Sequence, residues 1–201
     1  MQFDTASRNN FIDEWVSLVG ASPKLRLISG TIPANNAASQ TGTTLVSITL
    51  PSTWLNAASS GQATKAGTWQ ANSSATGTIT HARLLNSAET AVRWQGTVSA
   101  AFALTTSAST AANGNVLTFT STTGVANGQG VYGAGIPSGT TVIATTSTTV
   151  TLSQVSTAGV GSATEILFGD VSGDMHLAST AIDTVGQSIT ITSWTLVAPG
   201  A

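Results

Sequence analysis

Phe11, Trp15 and Leu18 recur at helical spacing, and Ile12 and Val19 widen the apolar stripe. The pattern predicts an amphipathic helix over residues 5–19. Asp4 or Thr5 suits the N-cap, and Gly20 suits the position just past the C-terminus. Arg8, Asp13, Glu14 and Ser17 occupy the remaining face. A lone helix of this length needs tertiary support, so its apolar stripe is expected to pack on a sheet or on a neighbouring subunit.

After the helix the period changes from 3.6 to two. Leu25 and Leu27 alternate with Lys24 and Arg26, and Val46, Ile48 and Leu50 alternate with Ser47 and Thr49 before Pro51. Further strands are expected over residues 65–71 and 77–84. Another carries Val92, Trp94 and Val98 on one face and Arg93, Gln95 and Thr97 on the other. "NSAET" (residues 86–90) supplies a turn. In the closing "GQSITITSWTLVAP", Ile189 and Ile191 hold one phase, and Trp194 and Leu196 the opposite one. The slip at Thr192–Ser193 predicts a bulge or a strand buried on both faces, and Pro199 is read as its stop.

The middle of the chain repeats this grammar with softer residues. "NVLTFTS", "TTVIATT" and "TTVTLS" are short β-branched runs, separated by "ANGQG" and "GAGIPSG", whose Gly, Asn and Pro residues favour turns. Such spacing predicts a small sandwich, barrel or solenoid-like module. Near-duplicate "GTVS" (96–99) and "GDVS" (169–172) bracket it. Joining "RWQGTVS" directly to "GDVSGDMHLAS" makes a plausible strand, turn and strand. The expected organisation is therefore a core domain in two pieces, 1–99 and 169–201, with a β-module of residues 100–168 inserted at a hairpin tip, where insertions cost little stability. The expected fold class is mainly β: a sandwich or jelly roll with one short N-terminal helix and a small inserted all-β domain.

Composition narrows the functional classes. Of 201 residues, 41% are apolar and only 7% charged, against roughly a quarter in an ordinary domain, and residues 94–164 carry no charge at all. The apolar content argues against disorder. No apolar run approaches the roughly 18 residues of a spanning helix. A net charge of −2 gives no electrostatic reason to expect nucleic acid or an anionic membrane. Weak self-repulsion suits a protein whose surface rests against others. No cysteine is present, which rules out disulfides and thiol chemistry. "MQFDTASRNN" lacks the basic and apolar regions of a secretion signal.

Catalytic constellations are hard to assemble. His81 and His176 are read as polar strand residues, and no Gly-x-Ser-x-Gly elbow accompanies them. "GDVSGD" sets Asp170 and Asp174 around a turn that lacks the closing Glu of a calcium loop, so the turn reading is preferred. "GQGVYGAG" lacks the Lys-Ser/Thr of a phosphate loop. Eight acids, scattered between Asp4 and Asp183, give no glycosidase pair. The expectation is no enzyme, no metal and no cofactor. Trp15 and Trp94 are read as core, whereas Trp54, Trp69 and Tyr132 are the candidate exposed aromatics for a sugar platform.

The order of several short patterns resembles a family of small virion structural proteins of tailed bacteriophages. These are the "GTIP" turn at Gly30–Pro33, "ATGT" at Ala75–Thr78, "ARL" followed by a hairpin, and the closing "ITITSWT". The stretch "VANGQGVYGAGIPSGTTVIATTSTTVTLS" separately resembles a β-module common in phage virion and surface proteins. The resemblance implies a capsid decoration (cement) protein on the virion exterior, assembled in the host cytoplasm. Its implied partners are the major capsid protein and copies of itself. Phe3, Phe11, Trp15 and Leu18 are the candidate shell or subunit contacts. The alternative is a head-fibre, tail-tip or other tail component, with weak glycan binding by the inserted module.

Overall fold

In the computed structural model, which describes residues 2–198, the chain is mainly β with one N-terminal helix. Pro199 lies outside the described residues. Helix α1 (Thr5–Val19) is followed by β1 (Lys24–Ile28), β2 (Thr44–Thr49), β3 (Gln62–Thr64), β4 (Trp69–Asn72), β5 (Gly77–Thr78), β6 (His81–Leu85) and β7 (Val92–Thr105). Next come β8 (Val116–Thr118), β9 (Val131–Tyr132), β10 (Val142–Thr145), β11 (Thr149–Leu152), β12 (Glu165–Gly169) and β13 (Met175–Leu177). The chain closes with β14 (Ala181–Ile182), β15 (Ser188–Ile191) and β16 (Thr195–Val197). The expected strands over 65–71 and 77–84 form only in part, as β4 and as β5 with β6.

Two compact units result: Met1–Val98 with Thr180–Ala201, and Ser99–Ser179. The second break lies after Ser179 rather than at Phe168, so "GDVSGDMHLAS" belongs with the inserted unit. The cause is local. Ser99 Oγ donates to Asp170 O at 2.6 Å and accepts from Gly173 N at 3.2 Å, and Asp170 N donates to Ala100 O at 2.8 Å.

In the first unit, β2, β1, β6 and the start of β7 form an antiparallel sheet. Register puts Ile48, Leu25, Leu84 and Trp94 in one row, and Val46, Leu27, Ala82 and Gly96 in the next, so one face is apolar. The other face carries Arg26, Arg83 and Gln95 in one row and Ile28, His81 and Thr97 in another. β6 is buried along its whole length. His81, expected as an ordinary polar strand residue, is 0% exposed and Arg83 is 2% exposed. The segment 30–43 covers them: Arg83 Nη2 donates to Asn36 O and Ala38 O, and Gln95 Nε2 donates to Pro33 O at 2.7 Å. Its return is tight at Gly42, where φ is +76° and a Cβ would lie 1.7 Å from the Ser29 carbonyl oxygen. "NSAET" makes the predicted turn, with Asn86 Oδ1 accepting from Thr90 N and Ala91 N.

The C-terminal strands run back along residues 62–78 as one interrupted antiparallel ribbon. Ala181 lies opposite Thr78, Ile191 opposite Trp69, and Val197 opposite Gln62. The phase slip is a bulge: residues 65–68 oppose the shorter stretch 192–194, and Lys65 N still donates to Trp194 O at 2.8 Å. Trp194 thereby turns inward against Trp94 of the sheet, with ring centroids 5.1 Å apart.

The second unit pairs the end of β7 with β12, and β12 with β9, beside a sheet ordered β10-β11-β8. Leu117, Phe119, Val131, Val142, Val150, Leu152, Ile166 and Phe168 form its core. The charge-free stretch within it, residues 99–164, has a structural use. Buried Thr106, Thr140 and Ser156 donate their hydroxyls to the carbonyls of Gly161, Pro137 and Ala111, and Thr122 bonds Thr146 O, so short polar side chains close the turns without burying charge.

Candidate interaction surface

Helix α1 begins as its sequence dictates. Asp4 Oδ1 accepts from Ser7 N at 2.7 Å, and that backbone N–H is the main cause holding the Asp4 carboxyl below its usual range. Gly20, at φ +85°, ends the helix by donating its N–H to Val16 O at 2.9 Å. The buried side, however, is rotated from the predicted stripe. Ile12 and Val19 are buried, while Phe11 is 47% and Leu18 57% exposed.

Polar docking explains the rotation. Asn9 Oδ1 accepts from Gly61 N at 2.8 Å, and Asp13 Oδ1 accepts from Ala58 N at 3.4 Å. The Arg8 guanidinium lies over Gly61, where a Cβ would come within 2.4 Å of Cζ. Asn9, and Asp13 from the face expected in solvent, thus satisfy N–H groups of the turn before β3, and this points Phe11 and Leu18 outward. Phe3 packs edge-on against Phe11 at 5.1 Å, which extends the apolar surface.

Trp15, half-buried, begins a ladder containing every tryptophan of the chain. Trp15–Trp54, Trp54–Trp69, Trp69–Trp194 and Trp194–Trp94 have centroid separations of 5.7, 6.1, 5.2 and 5.1 Å. Its two ends, Trp15 and Trp94, meet at one apolar groove shared with Phe11, Ile12, Leu196 and Val197. Val197 is 53% exposed. The exposed face of α1 and this groove are one continuous surface, suited to burying the apolar side chains of another protein.

Two of the expected exposed aromatics are corrected. Trp54 is 1% and Trp69 0% exposed. The Trp54 indole N–H donates to Gly20 O at 3.2 Å and that of Trp69 to Ala66 O at 2.9 Å, so neither presents a stacking face. Tyr132, in the other unit, is half-buried with its ring against Gly130. Phe3, Phe11 and Leu18 are exposed at the positions proposed for contact, and half-buried Trp15 lines the groove with Phe11. Sequence reasoning missed Leu196 and Val197, because their place beside α1 depends on the ribbon pairing.

Asp170 Oδ1 accepts from Ser172 N at 2.8 Å, and the Ser172 bonds hold its carboxyl below the usual range, as in a turn that bonds its own backbone. His176 is exposed. Among the described residues no group of three His, Cys, Asp or Glu side chains converges, and no helix is long and apolar enough to cross a membrane. Comparison of the chain with protein families, curated proteins and solved structures found no match to any of them.

Proposed function

We propose that this protein is a non-enzymatic structural component that attaches to other protein subunits through the exposed face of α1 and the groove beside it. The observation that carries the reading is the outward placement of Phe3, Phe11 and Leu18, with Phe11 also lining the Trp15–Trp94 groove, in a chain that buries Trp54 and Trp69. Exposed apolar patches of this kind favour association because they remove apolar area from water. The sequence resemblance supplies the partner: the shell of a tailed bacteriophage, decorated on its exterior by binding across neighbouring capsid subunits. On a symmetric shell, a modest contact repeated many times gives stable coverage.

The test is co-sedimentation of purified protein with empty phage shells, counting bound copies per shell subunit. Saturation at a fixed ratio is expected. The double substitution Phe11→Ser, Leu18→Ser abolishes binding; it costs about 1–2 kcal/mol at Phe11, which is half covered, and about 0.5 kcal/mol or less at Leu18. Full binding by that folded variant would overturn the assignment of this face. Absence of binding by the unaltered protein would overturn shell decoration itself.

A further inference from the structure

The sheet face opposite the tryptophans carries an unusual pair of cations. Register places Arg26 directly opposite Arg83, so two guanidinium side chains rise from adjacent strands on the same face, where like charges repel. Arg83 is 2% exposed. Its Nη2 donates to Asn36 O at 3.0 Å and Ala38 O at 2.9 Å, while Nε has no partner. No ion pair to Arg83 exists among the described residues. Glu89 is committed to Arg26 and, at 3.7 Å, to Lys24. Burial first, and Arg26 second, push the Arg83 pKa down, as happens when a cation lacks a counter-ion.

Arg26, Arg83, Gln40, Glu89 and Thr90 line one recess beneath the covering segment. Three cations and a single carboxylate, counting Lys24, leave it net positive. A buried arginine without a counter-charge is expensive to maintain. An anion would remove that cost, and two neighbouring guanidinium forks match the geometry of a planar or tetrahedral oxyanion.

We propose that this recess is a binding site for a compact oxyanion, a carboxylate or a phosphate, held between Arg83 and Arg26. Arg83 contributes its uncompensated charge from below, its Nε–H being buried without a partner, and Arg26 closes from the part-exposed rim. Glu89 sits on the Asn86–Ala91 turn with 34% of its side chain exposed, and it acts as an internal competitor that the ligand displaces from Arg26. The inference concerns the opposite side of the sheet from the tryptophan groove and does not depend on what covers α1.

The experiment is thermal unfolding of the full chain at constant ionic strength, with chloride replaced stepwise by inorganic phosphate, and in parallel with a short Asp/Glu peptide added. A saturable rise in Tm is expected. Arg26→Gln weakens the apparent affinity about tenfold or more through loss of a charge-assisted fork. Glu89→Gln strengthens it roughly threefold by removing the competitor. Both changed side chains are part-exposed, so both variants retain the fold. Stabilisation by phosphate alone identifies a small-ion site, and stabilisation by the peptide identifies a partner's carboxylate. If neither stabilises beyond chloride, or if Arg26→Gln responds like the unaltered protein, the site does not exist.

Discussion

Trp54 is the most discriminating residue to change, because an exposed platform and a ladder rung respond in opposite ways. In the structure it is 1% exposed, contacts the rings of Trp15 and Trp69 at 5.7 and 6.1 Å, and bonds Gly20 O at 3.2 Å. A buried tryptophan removes roughly 150–250 Å² from water, which at about 25 cal/mol per Å² is about 4–6 kcal/mol. Alanine keeps a small part of that. The cavity and the unpaired Gly20 carbonyl add to the loss, and relaxation of the neighbouring rings subtracts from it. The net expectation for Trp54→Ala is a loss of about 3–5 kcal/mol, a large share of the roughly 5–15 kcal/mol that folded proteins hold. Trp54→Phe keeps a ring but not the N–H, and is expected to lose about 1–2 kcal/mol. Urea unfolding followed by far-UV circular dichroism measures both, since fluorescence is itself altered by the change. A loss below about 1 kcal/mol for Trp54→Ala, with the urea dependence unchanged, would refute the buried ladder, because exposed side chains shift stability by about 0.5 kcal/mol or less.

Two further outcomes follow from the two units. His81 has its pKa lowered from 6.5, chiefly by burial and secondarily by Arg83. The unfolded chain therefore takes up this proton first. The His81 contribution is complete above pH 6.5 and is lost as the pH falls from there toward the folded-state value, at up to about 1.4 kcal/mol per pH unit. Thermal melts between pH 7.5 and 5 should show a falling Tm that His81→Gln flattens, and an equal slope in the variant would refute the assignment. Ser99–Ser179 has its own apolar core and its own hydrogen-bonded turns, so expressed alone it should unfold cooperatively in urea, whereas a broad, non-cooperative loss of signal would show that it is not an independent unit.

The helix and the first strands were legible because their apolar residues repeat with a clear period, and the ends of α1 were legible because Asp4 and Gly20 are local signals. The rotation of α1 was not. Phe11 and Ile12 are neighbours in sequence, and the choice between them rests on the N–H groups of Ala58 and Gly61, which only the fold brings near Asn9 and Asp13. Trp54 looked exposed because Pro51, Ser52, Thr53 and Asn56 surround it, yet its burial comes from Trp15 and Trp69. The ribbon was illegible for a related reason: its pairs, such as Ile191 with Trp69, are short and far apart in the chain. The Arg26–Arg83 recess requires knowing that β1 and β6 are neighbours, which no local pattern encodes.

The tryptophan ladder also gives the molecule a spectroscopic division of labour. All five tryptophans belong to the first unit, and the single tyrosine, Tyr132, belongs to the second. Rings spaced closely enough to touch pass excitation among themselves, so the five indoles emit as one coupled chromophore with depolarised fluorescence. Selective indole excitation therefore watches one half of the chain alone. The change in indole emission on denaturation reports the loosening of the first unit, with no indole signal from Ser99–Ser179.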